Sequence, residues 1–294
     1  MKNLFNLWPL VFCVVASVNL TRAETHVLDV GGTPIRLPEP IGFFRCDGKT
    51  NEFDQLQRSF IPASNRLLAA FGSEDDLAQI LTGALPALER NFTAQSSNSY
   101  DSDNISSSGF NQLKKGMRSQ LDEGREKMRD VLASIENSGS SSISTAVDSS
   151  TIFKFGDMVM LGVFDETPDS ICFSTLIKGR IEAPKLGKPA EWVSIAAGCT
   201  LHVRNKIIYL YCTSKYRGKG DIEWARSNLA KWRDSVLAAN QRTVSGSMSV
   251  DPVSGLKGQR SSFLDRRINE GIAGLAIGVV CAVVALLVNA FKKR

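Results

Sequence analysis

The sequence is poor in the residues from which active sites are usually built. Histidine occurs twice in 294 residues, as His26 and His202, and neither has a second ligand at the spacing of an HxH or HExxH site. Both histidines are expected in structural or surface roles, and no metal or cofactor is expected. The chain lacks a Walker A loop, a GxSxG elbow, a GxGxxG turn and a CxxC pair, so the NTPase, serine hydrolase, dinucleotide and thiol oxidoreductase readings lose their local signatures. Charge of one sign is also missing from most of the chain. Lys2, Arg22, Lys292, Lys293 and Arg294 account for the whole net charge of +5, so the middle carries no basic face for nucleic acid. Long apolar runs are confined to the two ends, which excludes a polytopic membrane protein. With 43% hydrophobic residues the chain is neither disordered nor collagen-like.

The ends themselves are informative. Residues 1–23 read as a cleaved secretory signal: Lys2 is the basic n-region, Leu4 to Val18 the apolar stretch, and Thr21-Arg22-Ala23 a small-x-small site with cleavage after Ala23; the alternative is an uncleaved signal anchor, which Asn6 and Pro9 in the stretch disfavour. Gly271 to Val288 is an uninterrupted apolar run, extended by Asn289, Ala290 and Phe291, and at 1.5 Å per residue it spans about 27 to 30 Å, the thickness of a hydrocarbon core. Residues 268–291 are therefore expected to form a single transmembrane helix in the lipid bilayer, and 292–294 a basic cytoplasmic tail by the positive-inside rule. Within the span Gly274, Gly278 and Ala282 recur at every fourth position. Such a stripe lets two helices approach closely, as a homodimer or with another membrane protein; the plain alternative is a lipid anchor.

Residues 24–240 are long enough for a sizeable exported domain, and 241–267 shift to a Ser, Gly and Pro-rich tether. As a flexible coil that tether holds the domain about 25 Å from the membrane. Along the domain, HVLDV and TPIRL flank Gly31-Gly32 as a hairpin, RLLAAF (66–71) is a strand, and Ser73 with Asp76 opens a short helix EDDLAQIL. Asn91 to Gln95 is a further strand. Phe110, Leu113, Met117, Leu121, Met128, Val131, Leu132 and Ile135 keep helical spacing between two serine-rich stretches. TIFKF, MVMLGVF, SICFSTLI, WVSIAAGCTLHV and KIIYLYCTS read as strands, the last two joined at Arg204-Asn205. Ile222, Ala225, Leu229, Trp232 and Val236 then mark one face of a final helix. The fold class is α+β, an antiparallel sheet flanked by helices.

This order of elements resembles the PsbP-like α/β/α sandwich. The shared pieces are the N-terminal hairpin with PEPIGFF, the long middle helix, the antiparallel strands ending in RNKIIYLYC, and the Trp-containing helix DIEWARSNLAKW. The resemblance covers about residues 26–240 and implies a non-enzymatic accessory or assembly factor, exported or lumenal. It assigns no binding residue here, and the C-terminal span departs from the soluble family members.

Cys46, Cys172, Cys199 and Cys212 give the exported domain an even number of cysteines in an oxidising setting. Cys199 and Cys212 share a face of the predicted hairpin, as a cross-strand disulfide or as two small buried hydrophobes; Cys46 with Cys172 is the remaining pair. The carboxylates Glu74-Asp75-Asp76 and Asp165-Glu166 with Asp169 suit a helix start and a turn better than a hydrolase pair. The Arg217-Gly218-Lys219-Gly220 loop is either an anion-binding helix start or a solvated turn. Asn91 and Asn104 stand in glycosylation sequons. No catalytic residue is assigned. The expectation is a single-pass protein of a bacterial inner membrane with a large periplasmic domain, acting as an interaction or assembly module for another envelope protein. A tethered hydrolase or a small-ligand binding domain is the alternative.

Overall fold

The computed structural model of the protein describes residues 24–59, 61–84, 86–98, 101–123, 152–182 and 189–241. The signal over 1–23, the span over 268–291 with Gly274, Gly278 and Ala282, the tail 292–294, and the tether beyond Gln241 lie outside the described residues. Among the described residues no helix is long and apolar enough to cross a membrane.

Arg204 and Asn205 turn the chain with φ of +51° and +64°, the paired left-handed conformation that a two-residue hairpin between right-twisted strands requires. They join β8 (Ala190–Val203) to β9 (Lys206–Lys215), with Val203 opposite Lys206. Around this hairpin the sheet grows by antiparallel neighbours. On one side β5 (Arg90–Ser97) pairs with β9, then β4 (Asn65–Gly72) and the two-residue β3 (Phe44–Arg45). On the other, β8 is followed by β7 (Ser170–Glu182) and the long edge strand β6 (Ile152–Thr167). IFKF and MVMLGVF are thus one strand, broken in register rather than by a turn: its pairing shifts at three places, and Gly162 takes φ +82° at one of them.

β1 (Thr25–Val30) and β2 (Thr33–Pro38) form a separate hairpin over Gly31-Gly32, both at positive φ. Four helices complete the described chain: α1 (Asn51–Ser59), α2 (Glu74–Leu81), α3 (Ser107–Glu123) and α4 (Lys219–Asn240). Ser73 and Asp76 cap α2 reciprocally, as the spacing predicts. The helix α1 has no counterpart in the sequence reading. Its Phe53 packs with Cys46, Ile80 and Leu88 in a small satellite core, which the short polar-looking segment does not announce.

The main core lies between the sheet and α4. Ala225, Leu229, Trp232 and Val236 meet Phe71, Phe92, Ala94, Ile195, Ala197, Leu201, Ile208 and Leu210, with Ile35 and Leu37 of the hairpin closing the layer. Trp232 sits T-shaped to Phe71 and Phe92 with centroids 5.5 and 5.4 Å away, and its indole N–H donates to the Pro38 carbonyl at 2.7 Å. Asn240 fastens the hairpin to the end of α4, accepting from the Arg36 amide at 2.9 Å and donating to the Arg36 carbonyl at 2.6 Å. On the opposite face α3 places Phe110 on the His202 ring, 5.2 Å between centroids. Helices on both faces of an antiparallel sheet give the α+β arrangement expected.

The cysteine pairing is a correction. The register sets Cys199 opposite Leu210 and Cys212 opposite Ala197, so these two cysteines are diagonal neighbours on one face. Such diagonals are about 7 to 8 Å apart between Cα atoms, beyond the reach of a disulfide. Across the other side of β8, Cys172 stands directly opposite Cys199 with a Cα separation of 4.1 Å, and these two form the disulfide. Cys212 is a buried thiol, and so is Cys46, which the sequence set beside Cys172.

Candidate functional site

The residues singled out in the sequence are mostly committed to the fold. His202 looks at first like half of a catalytic dyad, since its Nδ1 lies 3.5 Å from Asp169 Oδ1. Its Nε2, however, is 2.7 Å from the Ile105 carbonyl, which can only accept, so this nitrogen donates to backbone and the ring is a buried tie between β8 and the segment before α3.

The carboxylates are likewise occupied. Asp76 bonds Ser73 and the Leu88 amide at 2.9 Å; Asp165 takes the Arg233 guanidinium at 2.5 Å. Glu166 holds Lys114 at 3.3 Å and also Arg118. Partial burial pushes the Glu166 carboxyl up, but the hydrogen bonds from Arg118 and Lys114 outweigh it and hold it below the ordinary value.

At the start of α4 the anion site is filled from within. The amides of Arg217 and Gly218 donate to the Asp221 carboxylate at 2.8 and 3.2 Å, which makes the loop a self-capped turn. Asn91 is buried and donates to the Leu88 carbonyl at 3.2 Å, so its sequon faces inward, while Asn104 is exposed. Burial pushes the Cys46 thiol up to about 12 and raises Cys212 well above its ordinary range, so neither thiol is a ready nucleophile.

Two surfaces remain that the fold does not account for. The first is the side of the sheet away from α4. Strand alternation collects Thr93 and Gln95 of β5, Tyr209, Tyr211 and Thr213 of β9, Ser194, Ala196, Gly198 and Thr200 of β8, and Phe173 and Thr175 of β7 on that face. They stand in rows: Gln95 beside Tyr209 beside Thr200, and Thr93 beside Tyr211 beside Gly198.

All the polar members of this face are buried, yet among the described residues Thr93 Oγ1, Gln95 Nε2, Ser194 Oγ, Thr200 Oγ1 and Thr213 Oγ1 have no hydrogen-bond partner. Five such atoms on one sheet face are unusual, because each buried unpaired group costs about 1 to 3 kcal/mol. At the β4 end, Asn65 donates to Gln95 Oε1 at 3.1 Å and borders a surface depression of about 400 Å³ with Arg58, Leu67 and Asn98. Sequence reading passed over this face: its alternation is that of any buried strand, and which hydroxyls find partners is a property of the assembled layers.

The second surface is the β6 edge. Among the described residues β6 pairs with β7 alone, so its outer backbone groups face no strand. Ile152, Val159 and Val163 are 46%, 46% and 37% exposed along it. At the opposite edge the two-residue β3 pairs with β4 only at Phe71 and Gly72. Bulges and the charges of Lys154 and Asp157 interrupt β6, which discourages indiscriminate sheet extension and leaves short segments free to pair.

No family model matches the chain, and no curated protein matches it. Among solved structures it is similar to cyanobacterial PsbP (CyanoP) from Synechocystis sp. PCC 6803, at 12% identity and a TM-score of 0.29, covering 74% of this chain and 94% of that one. The likeness is of fold alone, a distant PsbP-like arrangement of sheet and helices.

Proposed function

We propose that the protein is a membrane-tethered, exported interaction module that holds or assembles another envelope protein without catalysing a reaction. The β6 edge carries this reading, because among the described residues it offers a long run of unpaired backbone together with exposed aliphatic side chains. The partner is an extended segment of a second membrane protein of the bacterial inner membrane, held near the bilayer by the tether and the C-terminal span. The test is in-cell photocrosslinking from position 159, followed by purification of the full-length protein in mild detergent. A stoichiometric partner that Val159→Lys with Val163→Lys removes, at unchanged melting temperature, supports the reading. Full-length protein that emerges alone and monodisperse overturns it.

The polar sheet face favours a second reading, a small polar ligand carried between the sheet and the layer above it. Its unpaired hydroxyls and the Gln95 amide are the groups such a ligand would satisfy. Native mass spectrometry of the membrane-purified protein separates the two readings, since a bound small molecule adds a small increment to the monomer and a protein partner adds the mass of a second chain.

A further inference from the structure

Glu24, His26 and Glu39 bring two carboxylates and an imidazole together at the open end of the β1–β2 hairpin. One donor atom from each lies within 4.8 Å of the other two. Glu39 Oε1 is 3.2 Å from His26 Nε2, and Glu24 Oε1 is 3.9 Å from His26 Nδ1. The backbone keeps them there: the Glu39 amide donates to the Glu24 carbonyl at 2.8 Å, and the Arg45 amide donates to Glu39 Oε1 at 3.1 Å, orienting that carboxylate from behind. The Glu24 side chain is 74% exposed and free to swing toward a bound ion.

Glu24 is also the residue that cleavage after Ala23 would make the first of the mature chain. Cleavage turns Glu24-Thr25-His26 into a free amine followed two residues later by an imidazole. That spacing lets the amine, the two intervening amide nitrogens and the imidazole close fused chelate rings around one ion in a plane. Thr25 is not proline, so both amides carry a proton that the ion can displace to solvent. A planar nitrogen set selects divalent copper or nickel, and copper stands above nickel in the affinity order of divalent ions. Binding in this way requires the first residues of β1 to leave the ladder, where His26 stands opposite Leu37 and the neighbouring Glu24 carbonyl accepts from the Glu39 amide.

We propose that processing after Ala23 creates a Cu²⁺ site at the mature amino terminus, with the α-amine of Glu24 and the imidazole of His26 as its essential donors and Glu39 as the carboxylate beside them. The site rests on that cleavage, independently of the β6 edge. The full-length protein, purified in detergent, has its first residue read by intact mass and is then titrated with Cu²⁺ alone, with Mg²⁺ as the control ion. The expected result is a chain beginning at Glu24 that binds one Cu²⁺, with nitrogen couplings in its paramagnetic resonance spectrum. His26→Gln weakens binding by at least about tenfold and removes the imidazole coupling. Insertion of one alanine before Glu24, which leaves every side chain of the hairpin in place, weakens it comparably. A different first residue, or equal affinity in either variant, overturns the proposal.

Discussion

The two faces of the central sheet are buried alike and built differently. Toward α4 the strands present Phe71, Phe92, Ile195, Leu201, Ile208 and Leu210, and the polar groups that do enter the layer are paired, as the Trp232 indole is with Pro38. Away from α4 the same strands present Thr93, Gln95, Ser194, Thr200 and Thr213, each with a buried polar atom that finds no partner among the described residues. A face that exists only to stabilise the fold is expected to resemble the first, since apolar burial is favourable and unpaired polar burial is not. The second face gives up stability along several strands at once, which is the mark of a surface shaped for something other than packing.

The comparison can be broken by measurement. The largest effect is expected from Trp232→Ala on the apolar face, about 3 to 5 kcal/mol in chemical denaturation, because the cavity left between Phe71 and Phe92 cannot collapse within a closed layer. A loss below about 1 kcal/mol would remove the α4 face from its role as principal core. Next, Cys172→Ala opens the loop closed by the disulfide to Cys199, a sequence separation of 27, and is expected to cost about 3 to 4 kcal/mol by the chain-entropy relation. Free-thiol counting on the unfolded protein checks the pairing: Cys46 and Cys212 react without reductant, while Cys172 and Cys199 need it.

On the polar face the sign changes. Thr200→Val removes a hydroxyl that has no partner while keeping the shape of the side chain, so stability is expected to stay within about 1 kcal/mol or to rise. A clear destabilisation would mean that the hydroxyl is satisfied in solution.

The smallest effect separates the helices. α4 is held mainly by apolar packing, whereas α3 is tied to β6 by Lys114 and Arg118 on Glu166. The folded value of Glu166 lies below its ordinary one, so this tie is present above about pH 4.5 and is lost as the pH falls through the lowered value. Hydrogen exchange along α3 is expected to quicken on acidification before exchange along α4 does, and Glu166→Gln should remove that difference.

Much of the fold was legible in the chain. The Arg204-Asn205 turn, the Ser73–Asp76 cap and the apolar stripe from Ala225 to Val236 are local patterns, and each formed where its residues predicted. α1 was missed because Phe53 and Leu56 are the only large apolar residues on a short polar segment, too few to display a period. The cysteine pairing was missed for a different reason. Cys199 has a strand neighbour on each side, and only the position of β7 decides that the direct partner is Cys172 and the diagonal one Cys212. At the amino terminus the sequence showed His26 as an isolated histidine, because Glu39 comes beside it only when the hairpin closes.

By itself the sequence determined what depends on short range: the alternation of strands, the helix faces, the turns, the even charge of the middle of the chain and the apolar character of its two ends. Only the tertiary structure decided which residues stand opposite one another. Register, the order of strands in the sheet and the packing of layers on its two sides fix whether a cysteine finds a sulfur, whether a histidine keeps a free nitrogen and whether a threonine hydroxyl finds an acceptor. Those contacts join residues far apart in the chain, and no local pattern encodes them.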